Sequence, residues 1–341
     1  MLRSVFGSIS HDMALDLGTS TTRIAISGRG VVCSQASAVS IHEDKLGNRK
    51  MLAVGDEALA MLGRTPPEVR VIRPIQDGTI ADFEVAEAML RHLMIQVQGR
   101  SLWVGPRVTV TIPYGVVDVE RRAIRELVEA SGARSVRLVS QSMAAAIGSE
   151  LPVNEACGHM VVDVGAGKTE VAVISLGGVV YSRALRVGGH HMNQSIIHHF
   201  RHNRGILIGP HTAEEVKLTL GAAMPGGSAE WMIIKGRDLT TGFPRALETS
   251  KDEIRQALQS SVKLIVGAVV SSLEHTSPEL AADVARTGIV MTGAGAQLRY
   301  LDRAISDATS LPVVLPERPG DVGVIGAGQH MSVENDSLAI A

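Results

Sequence analysis

The stretch Met13-Ala14-Leu15-Asp16-Leu17-Gly18-Thr19-Ser20-Thr21-Thr22-Arg23-Ile24-Ala25-Ile26 is an apolar strand, an Asp, a turn of small residues and a second strand. Far along the chain, Met160-Val161-Val162-Asp163-Val164-Gly165-Ala166-Gly167-Lys168-Thr169-Glu170-Val171-Ala172-Val173 repeats that plan. Counted from each Asp, the Gly two positions on, the Thr six positions on and the Ala nine positions on coincide. Turns of Gly, Ser and Thr let backbone N–H groups and hydroxyls approach phosphate oxygens closely, because no bulky side chain intervenes. An ionised Asp only accepts hydrogen bonds, so it tolerates phosphate when a cation or its water shell lies between them. Two phosphate clips are therefore expected, Asp16, Gly18, Thr19, Ser20 and Thr21 in one and Asp163, Gly165, Ala166, Gly167 and Lys168 in the other. They would face each other across a cleft and hold one triphosphate, with magnesium at Asp16 and Asp163. Two ordinary β-hairpins would also carry the pattern, but not the coincidence of positions.

Gly167-Lys168-Thr169 resembles the end of a Walker A loop, yet that loop needs a Gly where Val162 stands, and it opens a helix rather than a second strand. A P-loop is excluded.

At 341 residues the chain is long enough for two domains, and 45% hydrophobic with 20% charged residues describes an ordinary globular protein. A net charge of −2 with scattered Lys and Arg gives no footprint for nucleic acid. Only Cys33 and Cys157 occur, which suits a reducing compartment without a disulfide framework. No apolar run approaches the ~18 residues of a spanning helix and no signal-peptide core follows Met1-Leu2-Arg3, so a cytoplasmic location is expected.

Strands are expected at 13–17, 22–27, 107–112, 160–164, 169–175 and 287–292, and helices near 82–97, 118–131, 191–204, 211–222, 251–275 and 297–309, an alternation that argues for α/β layers. Asp118 is the expected N-cap of the second helix, and Ser250 with Glu253 forms a capping-box pattern ahead of the fifth. The twin clips divide the chain into two halves, each opening on a clip. A third glycine cluster, Thr292-Gly293-Ala294-Gly295-Ala296, follows Ile289-Val290-Met291 and precedes a helix. Such a backbone either packs flat against a purine with a helix N-terminus beside phosphate, or is only a strand-to-helix turn.

With these residues assembled, the chain resembles the MreB family of bacterial actins over nearly its whole length. Asp16-Leu17-Gly18-Thr19 looks like the family's first phosphate loop, Val119-Glu120-Arg121-Arg122-Ala123-Ile124-Arg125-Glu126 like its connecting helix, and Met143-Ala144-Ala145-Ala146-Ile147-Gly148 like the segment beside its hydrolytic centre. Thr169-Glu170-Val171-Ala172-Val173-Ile174-Ser175-Leu176 matches its second clip, Glu214-Glu215-Val216-Lys217 its ribose and adenine helix, and Gly293-Ala294-Gly295-Ala296, with Gln297, its adenosine loop. The resemblance implies an actin-like, ribonuclease H-like duplicated α/β fold of two domains with an ATP cleft and magnesium. It implies domains at 1–147, with a subdomain about 33–100, and at 148–319, with a subdomain about 188–252, and a return segment at 320–341. It also implies a homopolymer of double protofilaments under the inner membrane that works with the cell-wall elongation machinery to keep the cell rod-shaped.

Three departures stand out. The family usually has Glu-Glu-Pro where this chain has Ser140-Gln141-Ser142. Gln141 is no general base, but it can orient an attacking water as a GTPase glutamine does, and eukaryotic actin resembles this chain here. Slow hydrolysis is expected; a drifted position in an idle paralogue is the alternative. The family favours Gly-Gly-Gly-Thr-Thr in the second clip, whereas Lys168 precedes Thr169 here. Gln141, Lys168 and Thr169 are thus the residues expected nearest hydrolysis, Lys168 either pairing with phosphate and slowing turnover or pointing to solvent. Third, Gly188-Gly189-His190-His191-Met192-Asn193-Gln194 replaces acidic residues and a Phe. His198 and His202 on the following helix have the spacing of a metal pair but lack a nearby acidic or Cys ligand, which favours a solvated or filament-contact face.

Leu2, Val5, Phe6 and Ile9 would line one face of a short helix beside Arg3, unstable in water but able to fold on a membrane, unless the terminus frays. Leu102-Trp103 resembles the family's other membrane-inserting site, an ordinary packed Trp being the alternative. Sugar or acetate kinases and heat-shock chaperones share the fold superfamily, but both are expected to be longer. A non-hydrolysing scaffold that keeps ATP as a structural ligand remains the competing expectation.

Overall fold

The computed structural model describes residues 12–45, 47–98 and 105–339, those of 332–339 by backbone alone. The membrane expectations at Leu2, Val5, Phe6, Ile9, Leu102 and Trp103 lie outside the described residues. The chain divides into two compact units, Met1–Glu155 with Asp321–Ala341, and Ala156–Gly320.

In the first unit the chain runs through β1 (Met13–Leu17), β2 (Thr21–Ile26), β3 (Gly30–Ala36), β4 (Val39–Glu43), β5 (Arg49–Val54), α1 (Asp56–Ala60), β6 (Val69–Ile72), β7 (Ile75–Gln76), β8 (Thr79–Ile80), α2 (Phe83–Gln98), β9 (Arg107–Ile112), α3 (Asp118–Ala130), β10 (Ser135–Ser140) and α4 (Gln141–Gly148). The second unit holds β11 (His159–Val164), β12 (Thr169–Ser175), β13 (Gly178–Leu185), α5 (Gly189–Asn203), β14 (Ile206–Leu207), α6 (Pro210–Leu220), β15 (Trp231–Asp238), β16 (Pro244–Ser250), α7 (Lys251–Glu274), α8 (Pro278–Thr287), β17 (Ile289–Thr292), α9 (Leu301–Thr309) and β18 (Val313–Val314). Helix α10 (Val322–Ala339) returns to the first unit.

The duplication expected from the two clips is visible in the sheets. The first unit has the strand order β10-β9-β1-β2-β3 and the second β13-β12-β11-β17-β18. Both are built alike: a three-stranded antiparallel meander opens with the clip hairpin, and its first strand also pairs in parallel with a later strand. Strands β11 and β12 are buried along their whole length, as strands covered on both faces must be, which is why they read as continuous Val and Ile runs. Each unit also carries a three-stranded antiparallel sheet, β5-β4-β6 in the first and β14-β15-β16 in the second.

Met89, Leu90 and Leu93 of α2 and Leu127 of α3 pack on Met13, Leu15 and Ile24 in the first unit. In the second, Met192, Ile196 and Phe200 of α5 meet Val216 and Leu220 of α6 and Ile254, Leu258 and Ile265 of α7. Helix α7 has the length and hydropathy of a membrane span, but its apolar face lies in this core. Helices α4 and α10 pack backbone to backbone: a Cβ on Gly326 would stand 1.9 Å from the Ala144 carbonyl oxygen, and one on Gly148 2.1 Å from that of Val322.

Helix ends differ from the sequence expectations in three places. Val117, not Asp118, caps α3, and Asp118 sits in the first turn, where its charge suits the helix dipole. Ser250 caps α7 by accepting from the Glu253 N–H, but the Glu253 carboxylate turns to Thr249, His199 and Arg204 instead of completing the box. The glycine cluster after β17 opens only a single 3-10 turn, Ala294–Gln297, and α9 waits until Leu301 because Tyr300 adopts a left-handed φ of 62°.

Candidate functional site

In the first clip, β1 and β2 place Asp16 opposite Arg23, and the parallel pairing of β1 with β9 places it opposite Thr111. The Thr111 hydroxyl donates to the Asp16 carboxylate at 3.2 Å, and the Arg23 guanidinium stands 3.7 Å away. Arg23 also donates through Nε to Asp321 at 3.0 Å, just before α10. The turn itself is braced by Ser37, whose hydroxyl donates to the Gly18 carbonyl at 2.6 Å and whose N–H donates to that of Ser20 at 2.9 Å. Thr19 is buried and accepts from the Gly78 N–H at 3.2 Å, while Ser20 and Thr21 stay partly open.

The second clip repeats the key contact. Asp163 lies opposite Thr292 in the parallel pairing of β11 with β17, and the Thr292 hydroxyl donates to it at 2.9 Å. Gly165 donates to the Lys168 carbonyl at 2.8 Å to close the turn. The Gly165 and Ala166 carbonyls accept from the N–H groups of Gly189 and His190, at 3.0 and 2.8 Å, at the start of α5. Thr169 is fully buried, and its hydroxyl donates to the Val187 carbonyl at 2.7 Å.

The clips differ in charge. Where Arg23 faces Asp16, Glu170 faces Asp163, and Glu170 is only 1% exposed. The cation of this clip comes from Lys168, whose ammonium lies 3.6 Å from Glu170 rather than in solvent.

Around the second clip the remaining sequence candidates gather. Gly293 has φ +84° and donates to the Pro319 carbonyl at 2.8 Å. A Cβ there would stand 2.3 Å from the Val164 carbonyl oxygen and 2.9 Å from the Asp163 carboxylate, so only glycine lets this loop lie on the clip. Gly295 passes the same carbonyl; Ala294 and Gln297 are exposed and Ala296 is buried. On α6, Lys217 donates to the Gly189 carbonyl at 3.2 Å and pairs with Glu214 at 3.0 Å. Asn193 donates to the same Glu214 carboxylate at 2.5 Å. Burial pushes the Glu214 carboxyl up, but the Lys217 charge and the hydrogen bonds from Asn193 and Lys217, with His190 nearby, outweigh it and hold the group below the usual carboxylate range. Glu215 is exposed, whereas Val216 lies wholly in the core and can offer only its backbone.

Gln141 opens α4 in the first unit and is half-buried. The exposed His198 and His202 rings stack with centroids 4.1 Å apart, and among the described residues no group of three His, Cys, Asp or Glu forms a metal cage. A single carboxylate beside each turn of small residues, as at Asp16 and Asp163, instead suits magnesium, which keeps much of its water and binds through one or two carboxylates plus phosphate.

Thr111, Thr292, Ser37, Asp321 and Asn193 were given no site role from the sequence. A signal existed for two of them: Thr111 and Thr292 each stand at or near the end of an apolar strand.

The family model described as MreB/Mbl protein matches residues 10–338. Cell shape-determining protein MreB of Escherichia coli (strain K12) is 47% identical over 335 residues, covering 98% of this chain and 96% of that protein. Cell shape-determining protein Mbl of Bacillus subtilis (strain 168) is 38% identical over 319 residues, covering 94% and 95%. The crystal structure of MreB 5 of Spiroplasma citri bound to AMPPNP superposes with a TM-score of 0.91 at 31% identity, over 97% of this chain and 98% of that one. A MamK double helical filament shares the fold at 20% identity, with a TM-score of 0.77. The fold is thus the actin-like one, and by sequence and structure together the chain belongs to the MreB/Mbl family.

Proposed function

We propose that the protein binds ATP with magnesium and polymerises into double protofilaments at the inner face of the cytoplasmic membrane, where it organises the cell-wall elongation machinery and maintains rod shape. The observation that carries the nucleotide part is the repeated clip, in which a strand-end Asp is held by a Thr of the parallel neighbour in both units. Spiroplasma citri MreB5 was crystallised with AMPPNP and with ADP, which supports the same ligand class here. Names of the curated relatives support the cell-shape role.

In this proposal the backbone of Gly18–Thr21 and Gly165–Lys168 receives the phosphates. The Gly165 and Ala166 carbonyls already bond to α5 and the Gly165 N–H to the Lys168 carbonyl, which leaves the N–H groups of Ala166, Gly167 and Lys168 as the donors for the ligand. Asp16 and Asp163 hold magnesium through water, and the bound ion offsets the phosphate charge. Glu214, Glu215, the Val216 backbone and Lys217 serve ribose and adenine together with Gly293, Ala294, Gly295, Ala296 and Gln297. Gln141 orients the attacking water, with Lys168 and Thr169 bordering the site, and hydrolysis is slow. Leu2, Val5, Phe6, Ile9, Leu102 and Trp103 contact the membrane.

One observation favours a second function, a scaffold that keeps ATP without turning it over. Lys168 is engaged by Glu170 and the Thr169 hydroxyl by Val187, so neither is free to act on water. Measuring ATP affinity and phosphate release on one preparation separates the two. Tight binding with slow release supports the ATPase, tight binding without release the scaffold, and no binding rejects both.

A further inference from the structure

The geometry points to Gly323, in the first turn of α10, as the positioning residue for Gln141. This rests on the proposed role of Gln141 in orienting water. Helix α10 starts beside the first clip: Arg23, which stands next to Asp16, donates to Asp321 at 3.0 Å, and the Asp321 carbonyl accepts from the Ile325 N–H at 3.0 Å as the helix begins. Two residues after Asp321, Gly323 is buried, and a Cβ there would stand 2.7 Å from Nε2 of Gln141. The Gln141 amide therefore lies in the space left by the missing side chain.

The position is unlike the other glycines of this helix pair. A Cβ on Gly326 or Gly148 strikes backbone at 1.9 and 2.1 Å and opposes the packing of α4 on α10. At Gly323 the nearest atoms all belong to the Gln141 side-chain amide, which can swing aside while the helices stay in place. Gly323 thus acts on the place of one functional group. The chain Asp16, Arg23, Asp321, Gly323 and Gln141 ties that group to the first clip entirely within one unit. In the reaction served, water oxygen bonds to the γ-phosphorus as the bridging oxygen leaves on ADP, and the water proton passes to phosphate or solvent. An amide displaced by about an ångström no longer orients that water, a loss of up to roughly a hundredfold in rate.

The test is a double-mutant cycle on the full chain, reading single-turnover phosphate release and ATP affinity for the wild type, Gly323→Ala, Gln141→Ala and the pair. The expected result is that Gly323→Ala slows release severalfold or more with ATP affinity unchanged, and slows it no further once Gln141 is Ala. If Gln141→Ala slows release but Gly323→Ala does not, or if the two losses multiply, the positioning role is overturned while that of Gln141 stands. If Gln141→Ala changes nothing, the water-orienting role falls first and the positioning role with it. Should Gly323→Ala fail to fold, Gln141→Asn takes its place: the amide on a side chain one methylene shorter is drawn out of the space at Gly323, slower release at unchanged ATP affinity is expected, and release as fast as the wild type overturns the positioning role.

Discussion

Asp16 and Asp163 are each held by a Thr that lies far off in the sequence and is marked locally only by its place at or near the end of an apolar strand. Each accepts a hydroxyl from the parallel neighbour strand, at sequence separations of 95 and 129 residues. Thr292 is fully buried, so Thr292→Val removes a hydrogen bond to a charged group without opening a cavity. The expected cost in urea unfolding is about 1.5–3 kcal/mol. Lys168→Thr frees Glu170 of its cation and should weaken ATP binding about tenfold in equilibrium titration, equivalent to about 1.4 kcal/mol. Unchanged affinity would remove Lys168 from phosphate binding. At the tip of the β15–β16 hairpin, Asp238 accepts from the N–H groups of Thr241 and Thr240 and from Arg245, which hold its carboxyl down at about 2. A depressed carboxylate stabilises the fold above its unfolded pKa and ceases to do so as pH falls through the folded value. Asp238 should accordingly titrate near 2 by NMR, and the hairpin should loosen progressively as pH falls from the ordinary value of 3.8 to about 2.

Among the elements, the clip hairpins were the most legible part of the sequence because everything that defines them is local: apolar strands, one Asp and a turn of small residues. Helix ends were less so: Asp118 enters the helix it is expected to cap, and the helix expected from about 297 starts only at Leu301, after a 3-10 turn at Ala294–Gln297 and a left-handed Tyr300. The Ser250 cap was readable, and Ser250→Ala should lower thermal stability by about 1 kcal/mol. The α4–α10 pair was not readable, because Gly148 and Gly326 become partners only when the chain end returns to the first unit. Overpacking this contact with Gly326→Ala should cost about 1–3 kcal/mol in denaturant unfolding.

At the scale of the whole molecule, the repeat of a five-stranded sheet with one strand plan in both units explains why two short stretches could foretell so much. The site was legible to the extent that its residues lie in the clips and on α6. Its supporting residues Ser37, Asp321 and Asn193 come from tertiary contacts and were not, and Thr111 and Thr292 offered only their places at or near the ends of apolar strands. Membership of the MreB/Mbl family and the twin clips together support the proposal of a nucleotide-dependent polymer. The decisive measurement is sedimentation of the purified full-length protein with ATP, with ADP and without nucleotide. Pelleting that requires ATP is the expected result; a protein that stays in the supernatant in all three, or pellets equally without nucleotide, would contradict it.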